Sequence, residues 1–243
     1  AVTQNLVWYG GYKAELWSQC LQACEEFFTT LAEKGHYELA QASGTTCDDY
    51  RSAFNKAYFT RDNTELLIST RIIGKYNWDW WNYWGEWVPY GGYTPTLEYM
   101  EMFPMSDGTP FDFDKAVAEN KMFFEENDYN KPTRDPRLYE TILVNGAKWA
   151  GRSVELWNGG RENANSTATE TGVYATGFGL YKFYKEGKGS LAGNYLEWPY
   201  LRLAEVYLIY AEALLKNNRL ADAIAQVDKV RARVGLKGLV ESN

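Results

Sequence analysis

The sequence is poor in the residues that most often build catalytic and metal centres. It has one histidine, His36, and an odd count of three cysteines, Cys20, Cys24 and Cys47. A structural zinc site needs four thiolate or imidazole ligands, so this set argues against one. No Gly-x-Ser-x-Gly, His-Glu-x-x-His or glycine-rich phosphate motif is present. We therefore expect no catalytic nucleophile, no metal site and no cofactor.

The sequence also lacks an excess of positive charge and a long hydrophobic run. The formal net charge is −7 and the pI is about 5.0, whereas a nucleic-acid-binding domain carries a basic patch. No apolar stretch approaches the roughly 18 residues that a membrane-spanning helix requires. The composition therefore predicts that the chain neither binds nucleic acid nor spans a membrane.

Tryptophan is abundant, and it is concentrated in one place. Five of the ten tryptophans lie between residues 78 and 87, tyrosines surround them, and glycines and a proline interrupt the run. The aromatic residues follow neither the helical nor the strand period for long, which predicts an irregular loop. We call residues 76–93 the Trp-rich segment. Large rings with N–H and O–H groups are typical of ligand surfaces, and sugar rings fit them well.

The Trp-rich segment is the candidate ligand site. Its rings would stack on sugar rings, while its carboxylates and amides would accept or donate hydrogen bonds to the hydroxyl groups. The candidate binding residues are Trp78, Trp80, Trp81, Tyr83, Trp84, Trp87, Asn77, Asp79, Asn82 and Glu86. The alternative is that the loop folds back and its rings fill a core, because large aromatic side chains are highly buried on average.

A helical pattern opens the chain. Residues 11–34 carry a broad apolar stripe, and Gly35 is a plausible stop. A second helix is predicted over 48–59, with Asp48 or Asp49 as its N-cap.

The C-terminal part has the most regular pattern. Residues 200–216 and 220–234 predict two helices, and together they form a unit of about 34 residues. Small residues at Ala211 and Ala223 match the spacing of a tetratricopeptide repeat, in which paired helices approach closely. Residues 11–34 repeat the spacing of the second helix and so resemble half of another unit.

The middle of the chain predicts short elements and turns. The predicted elements are a strand or extended segment over 65–73, turns over 94–110, a short helix within 112–126, an element that opens at 135–137 and ends in a strand at 141–144, and an exposed loop over 158–172.

Several conspicuous residues have a simpler structural interpretation. Arg202 and Glu205 are i,i+3 neighbours, which predicts a pair that supports the helix. Asp107 and Asp135 each precede a residue typical of turns.

Other residues leave two interpretations open. Trp149 and Trp157 could extend the ligand surface or pack against the helices. Cys47 could form a disulfide with Cys20 or Cys24, although small buried helix residues are the simpler interpretation.

Four segments together resemble the SusD/RagB family, in the same order and at similar spacing. They are the run 198–214 (WPYLRLAEVYLIYAEAL) with 224–236, the element 103–111 (FPMSDGTPF) with the preceding 94–97, 135–139 (DPRLY), and 142–146 (ILVNG). The resemblance covers nearly the whole chain. It implies a mainly α fold of the SusD-like type: a tetratricopeptide-like helix-pair scaffold with a large irregular loop-rich region and a few short strands.

The resemblance also implies a function and a location. The family consists of outer-membrane, surface-exposed lipoproteins of Bacteroidetes-type bacteria. They capture nutrients, most often oligosaccharides, and deliver them to a SusC-like TonB-dependent channel without hydrolysing them. The expected partners are thus an oligosaccharide and that channel, with membrane contact only through an N-terminal lipid anchor outside this chain.

The chain lacks the family's lipidated N-terminal part and the stretch that would follow Asn243. It also begins without methionine, so we expect a central to C-terminal portion of a longer protein. Within a single SusD-like domain fragment, 1–243, we expect a helical part over 1–62, an irregular ligand-binding region over 63–197 and a helix pair over 198–237.

Two other functions fit some of the residues. The helix pairs could form a peptide- or protein-binding scaffold whose Trp-rich segment docks a partner, since rings in such an interface have the same sequence signature. A glycoside hydrolase would need only two carboxylates, for which Asp79 and Glu86 would be the candidates. Non-enzymatic glycan binding is the favoured hypothesis.

Overall fold

The computed structural model describes the chain on both sides of the Trp-rich segment. The described residues are 13–60, 63–73, 94–120, 133–149, 151–157, 159–162, 174, 176–182 and 195–242. Their helices are α1 (Ala14–Lys34), α2 (Cys47–Phe59), α3 (Leu97–Glu101), α4 (Phe113–Ala118), α5 (Pro136–Thr141), α6 (Leu203–Lys216), α7 (Leu220–Ala232) and α8 (Leu239–Ser242). Their strands are β1 (Leu66–Ile73), β2 (Ile142–Leu143), β3 (Lys148–Trp149), β4 (Arg152–Ser153), β5 (Gly179–Leu180) and β6 (Tyr195–Arg202). The predicted mainly helical class with a few short strands is confirmed.

Helix α1 buries the stripe that its sequence predicts. Trp17, Cys20 and Cys24 are buried along one face. The helix ends at Gly35, where φ is 63° and the backbone N–H donates to the Leu31 carbonyl at 2.8 Å. Glycine adopts this left-handed conformation at little cost, so the predicted stop is confirmed.

Helix α2 begins one residue earlier than predicted. Its N-cap is Thr46, so the predicted caps Asp48 and Asp49 were wrong. The Asp49 N–H donates to Thr46 Oγ1 at 3.2 Å, and the Thr46 N–H donates to Asp49 Oδ2 at 3.0 Å. The two residues form a capping box, in which the aspartate is the third helical residue rather than the cap.

Helices α6 and α7 pack as a pair, and α1 packs against α6. Ala211, Leu214 and Ala223 bury one another between α6 and α7, while Ala213 is buried against Trp17 of α1. The small side chains let the helix backbones approach closely. The helix pair is confirmed, and its assignment as a tetratricopeptide repeat stays a prediction.

The start of the predicted helix 200–216 is instead a strand. β6 pairs antiparallel with β1, so that Ile73 lies opposite Tyr195 and Thr70 lies opposite Trp198. Pro199 cannot donate a backbone hydrogen bond, and it disfavours the helical conformation in the residue before it. Helix α6 therefore begins only at Leu203. We call the β1–β6 pair the ribbon.

The loop-rich middle has a core of its own. Buried side chains from α5, the short pairs β2–β5 and β3–β4, and the connections between them form one cluster. Leu138, Leu143, Trp149 and Leu156 are among its members. Irregular segments are therefore held by a continuous hydrophobic interior, as compact loops require.

The FPMSDG turn is fixed from two sides. Asp107 Oδ1 accepts hydrogen bonds from the Thr109 N–H at 3.0 Å and the Thr109 hydroxyl at 2.7 Å, which confirms the predicted turn. Arg134, which is fully buried, donates through Nη2 to the Phe103 carbonyl at 2.6 Å. Arg231 of α7 donates through Nη2 to the Gly108 carbonyl at 2.9 Å.

The element that opens at Asp135 is a helix start rather than a simple turn. Asp135 caps α5 by accepting from the Arg137 N–H at 2.9 Å, with Pro136 at the first helical position. The strand predicted over 141–144 is confirmed only at Ile142 and Leu143. Asp135 nevertheless has the structural role that its sequence predicts.

Candidate functional site

All the predicted ligand-binding residues, Trp78, Trp80, Trp81, Tyr83, Trp84, Trp87, Asn77, Asp79, Asn82 and Glu86, lie outside the described residues. The structure describes the two ends from which their segment departs. β1 ends at Ile73, and the described chain resumes at Thr94, just before α3. The first of these two ends, Ile73, belongs to the ribbon.

The ribbon presents an exposed aromatic and aliphatic face. Trp198 is 37% exposed, Tyr200 is 64% exposed and Ile68 of β1 is 56% exposed. Trp198 and Tyr200 are two residues apart on one strand, a spacing that puts side chains on the same side. We call Ile68, Thr70, Trp198 and Tyr200 the ribbon face; Thr70 is exposed opposite Trp198.

A register irregularity lies within this face. Ser69 pairs with Pro199, but Ile68 pairs with Leu201, so Tyr200 is the extra residue on β6. Bulges of this kind redirect side chains and are frequent next to functional sites. A tyrosine ring in this position displays both its flat face and its hydroxyl group.

The opposite side of the ribbon carries a buried carboxylate. Glu197 is almost completely buried, and its Oε2 accepts a hydrogen bond from Ser69 Oγ at 2.9 Å. This cross-strand contact holds the two strands in register behind the exposed rings.

A buried ion cluster anchors the base of the ribbon to helix α7. Glu65 is fully buried and accepts from Arg233 Nη1 at 2.7 Å on each oxygen. It also accepts from Arg202 Nη1 at 3.4 Å and from the Ala40 N–H at 3.0 Å. Arg202 therefore forms its direct ion pair with Glu65, far away in sequence, whereas Glu205 attracts it only at longer range and makes no ion pair with it within 4 Å.

Another buried carboxylate lies between α2 and α5. Glu140 accepts from Asn55 Nδ2 at 2.6 Å, from the Tyr58 hydroxyl at 3.1 Å and from Arg51 Nε at 3.3 Å. Burial raises the pKa of Glu140, against the opposing effect of Arg51. Burial also raises the pKa of Tyr58, and the Glu140 charge raises it further. The Tyr58 phenol thus stays protonated and donates its hydrogen bond to the Glu140 carboxylate.

The other residues left open by the sequence are now placed. Trp149 is buried in the core of the loop-rich middle, whereas Trp157 is exposed. All three cysteines are free and buried, so the disulfide alternative was wrong. Burial raises the pKa of Cys47 to about 12, which keeps it a thiol.

The described residues contain no group of three or more histidine, cysteine, aspartate or glutamate side chains that could hold a metal ion. Among the same residues, no helix is both long enough and apolar enough to cross a membrane.

Sequence reasoning missed the ribbon face. Tyr200 is the first residue of the predicted helix 200–216, and Trp198 falls within the region 198–237 expected to form the helix pair. The available signal was the Trp-Pro-Tyr sequence, because a proline after Trp198 argues for an extended segment. Pairing with β1 had no signal in the sequence at all.

Comparison with known proteins identifies the fold. The model of the SusD family matches residues 45–243. A SusD-like protein from Bacteroides fragilis NCTC 9343 is 24% identical, with a TM-score of 0.62, over 95% of this chain and 47% of that chain. The protein BT4246 is 21% identical, with a TM-score of 0.64, over 95% of this chain and 47% of that chain.

A third solved structure is a SusD-like carbohydrate binding protein from Bacteroides fragilis NCTC 9343. It is 20% identical, with a TM-score of 0.52, over 93% of this chain and 44% of that chain. The chain thus spans about half the length of the solved proteins that it resembles. No curated protein matches it. Because the family model covers most of its length, the chain belongs to the SusD family.

Proposed function

We propose that this chain binds oligosaccharides without hydrolysing them, on a surface formed by the Trp-rich segment and the ribbon face. The observation that carries the proposal is the exposure of Trp198 and Tyr200 on the strand pair from which that segment departs. Membership in a family with a carbohydrate-binding member supports the same conclusion.

The chemistry of the surface suits a sugar. A pyranose ring has an apolar C–H face that stacks on an indole or phenol ring, and a rim of hydroxyl groups that need hydrogen-bond partners. Asn77, Asp79, Asn82 and Glu86 would supply those partners, because carboxylates accept strong hydrogen bonds from hydroxyl groups. On an exposed surface, these contacts give a Kd in the micromolar to millimolar range, roughly −8 to −4 kcal/mol.

The bound glycan would pass to a SusC-like TonB-dependent transporter in the outer membrane. In this scheme the whole protein is a surface lipoprotein, and the chain is its ligand-capturing part. Family membership supports this role. Release to a channel also requires modest affinity, which agrees with an exposed stacking surface.

Isothermal titration calorimetry with a panel of soluble oligosaccharides tests the proposal. Wild type is compared with five single alanine variants, at Trp78, Trp80, Trp81, Trp84 and Trp87. We expect at least one glycan to bind wild type. Several of the variants should bind that glycan with an affinity about tenfold weaker, equivalent to about 1.4 kcal/mol. If a glycan binds all five variants as well as wild type, the Trp-rich segment is not the site.

Two further readouts separate the alternatives. Prolonged incubation with a bound glycan should release no reducing ends, and their release would identify a hydrolase. Protection of tryptophan fluorescence from acrylamide quenching should appear when sugar is added. Protection by a partner protein alone would instead assign the surface to protein docking.

A further inference from the structure

A separate cavity of about 470 Å³ lies between residues 99–104, helix α5 and the α6–α7 pair. Its volume falls within the range typical of small-molecule sites, roughly 300–1,000 Å³. Neither Trp198 nor Tyr200 lines it. The cavity is therefore distinct from the ribbon face.

Two arginines that line the cavity share one carboxylate. Arg202 and Arg233 both line it, and both donate to Glu65. Arg233 is only 3% exposed, and its buried Nε has no hydrogen-bond partner among the described residues. This Nε lies behind the cavity wall, so Arg233 contributes positive charge to the cavity.

Positive charge exceeds negative charge around the cavity. The charged lining residues are the cations Arg137, Lys182, Arg202 and Arg233, and the anions Asp135 and Glu205. Behind them lies the carboxylate of Glu65, which binds Arg202 and Arg233. Among the described residues, the lining and this carboxylate together give four cations against three anions. One excess positive charge in a partly buried cavity favours an anionic ligand.

The start of helix α6 adds to this preference. Its N-cap is Arg202, which makes no side-chain capping hydrogen bond. Ala204 and Glu205, in the first turn, line the cavity. The N–H groups of a helix N-terminus carry partial positive charge and bind anions.

The mouth of the cavity is apolar. Tyr99, Met102 and Leu208 line it and are exposed to solvent. A ligand that fits both regions carries a negative charge at one end and an apolar ring at the other. Sulfate or phosphate would leave the apolar rim unused.

We infer that this cavity binds a small organic carboxylate. Its carboxylate accepts a hydrogen bond from Arg202, the charge of Arg233 attracts it from behind, and its apolar ring lies against Tyr99, Met102 and Leu208. This ligand class and this location go beyond glycan capture on the ribbon face.

Benzoate is the probe for the carboxylate, and benzamide is its neutral counterpart of the same shape. Calorimetry or saturation-transfer NMR on the wild-type chain should show saturable benzoate binding, with benzamide at least tenfold weaker. Glucuronate, which carries a carboxylate on a hydroxylated ring, should also bind more weakly than benzoate. Equal binding of benzoate and benzamide, no saturable binding, or tighter glucuronate binding would each overturn the assignment.

Two variants locate the probe without touching the buried charges. Leu208→Glu adds a negative charge at the mouth, and Leu215→Glu adds the same charge at another exposed position on α6 that does not line the cavity. We expect Leu208→Glu to weaken benzoate binding at least fivefold and Leu215→Glu to change it less than twofold. Equal effects of the two variants would place the anion elsewhere and overturn the inference.

Discussion

The base of the ribbon and its exposed face use their side chains in opposite ways. At the base, Glu65 is fully buried and binds two arginines, one of them, Arg233, at the C-cap of the distant helix α7. On the face, Trp198 and Tyr200 expose large rings to solvent. The difference teaches that one strand pair can be anchored through buried charges at one end and expose large rings to solvent along its middle. Mutations should therefore separate folding from binding.

The largest loss of stability is expected at the base. Glu65→Gln keeps the shape of the side chain but leaves Arg233 buried without its carboxylate. Removing one partner of a buried ion pair costs about 3–5 kcal/mol. Urea unfolding followed by circular dichroism measures the free energy of unfolding.

Glu212→Gln is the matched control, because Glu212 is exposed on helix α6. It should change the free energy of unfolding by less than about 0.5 kcal/mol. A loss below about 1 kcal/mol for Glu65→Gln would mean that the ion cluster does not anchor the ribbon.

Two tryptophans sharpen the contrast between buried and exposed rings. Trp149 is 3% exposed, and the centroid of its ring lies 5.3 Å from the centroid of the Tyr181 ring. Trp157 is 51% exposed. Trp149→Ala should destabilise the fold by about 3 kcal/mol because it opens a cavity. Trp157→Ala should change the free energy of unfolding by less than about 0.5 kcal/mol. Similar losses for both variants in thermal or urea unfolding would contradict the burial of Trp149.

The N-cap of helix α2 should give a smaller effect. Thr46→Ala removes the hydroxyl that caps this helix, at a cost of about 1 kcal/mol. The Thr46 hydroxyl is also the main cause of the lowered pKa of Asp49. A lowered carboxylate pKa stabilises the fold above the unfolded-state pKa, and this stability is lost as the pH falls through the folded-state pKa. The difference in the free energy of unfolding between wild type and Thr46→Ala should therefore become smaller as the pH falls.

Urea unfolding at neutral pH and near pH 3 measures that gap. Thr60→Ala is the control, because Thr60 is exposed at the other end of the same helix. If both threonine variants behave alike, the capping box does not stabilise α2.

The smallest signal is expected from the cysteines. All three are buried, and burial raises the pKa of Cys24 and of Cys47 to about 12. The native chain should not react with a thiol reagent such as Ellman's reagent at pH 8, because thiolate is the reactive form. The chain unfolded in guanidinium should release three equivalents. Rapid labelling of the native chain would show that the reagent reaches the cysteines, which would contradict their burial in the helix faces.

The sequence predicted the long helices well, because their burial repeats with the helical period. The stripe of α1 with its Gly35 stop and the pair α6–α7 are the examples. The turn at Asp107 was also predictable, because an aspartate followed by a glycine is typical of turns. The exact start of a helix was less predictable, since several neighbouring residues before α2 could have formed the capping hydrogen bonds that Thr46 and Asp49 exchange.

The ribbon face was not predictable because its cause is distant in sequence. β1 and β6 pair across more than a hundred residues, and Glu65 meets Arg233 at a separation of 168 residues. The helical pattern that directly follows β6 extends the predicted helix back to Tyr200, which belongs to the strand. The Trp-rich segment itself stays a prediction, since it lies outside the described residues.

The most direct test of the central claim compares two exposed tryptophans in one binding assay. Trp198 belongs to the ribbon face, and Trp157 is exposed elsewhere. Calorimetric titration uses the tightest-binding oligosaccharide of the panel with wild type, Trp198→Ala and Trp157→Ala. The account predicts an affinity about tenfold weaker for Trp198→Ala, or about 1.4 kcal/mol, and an unchanged affinity for Trp157→Ala. Unchanged affinity in Trp198→Ala, or equal losses in both variants, would contradict it.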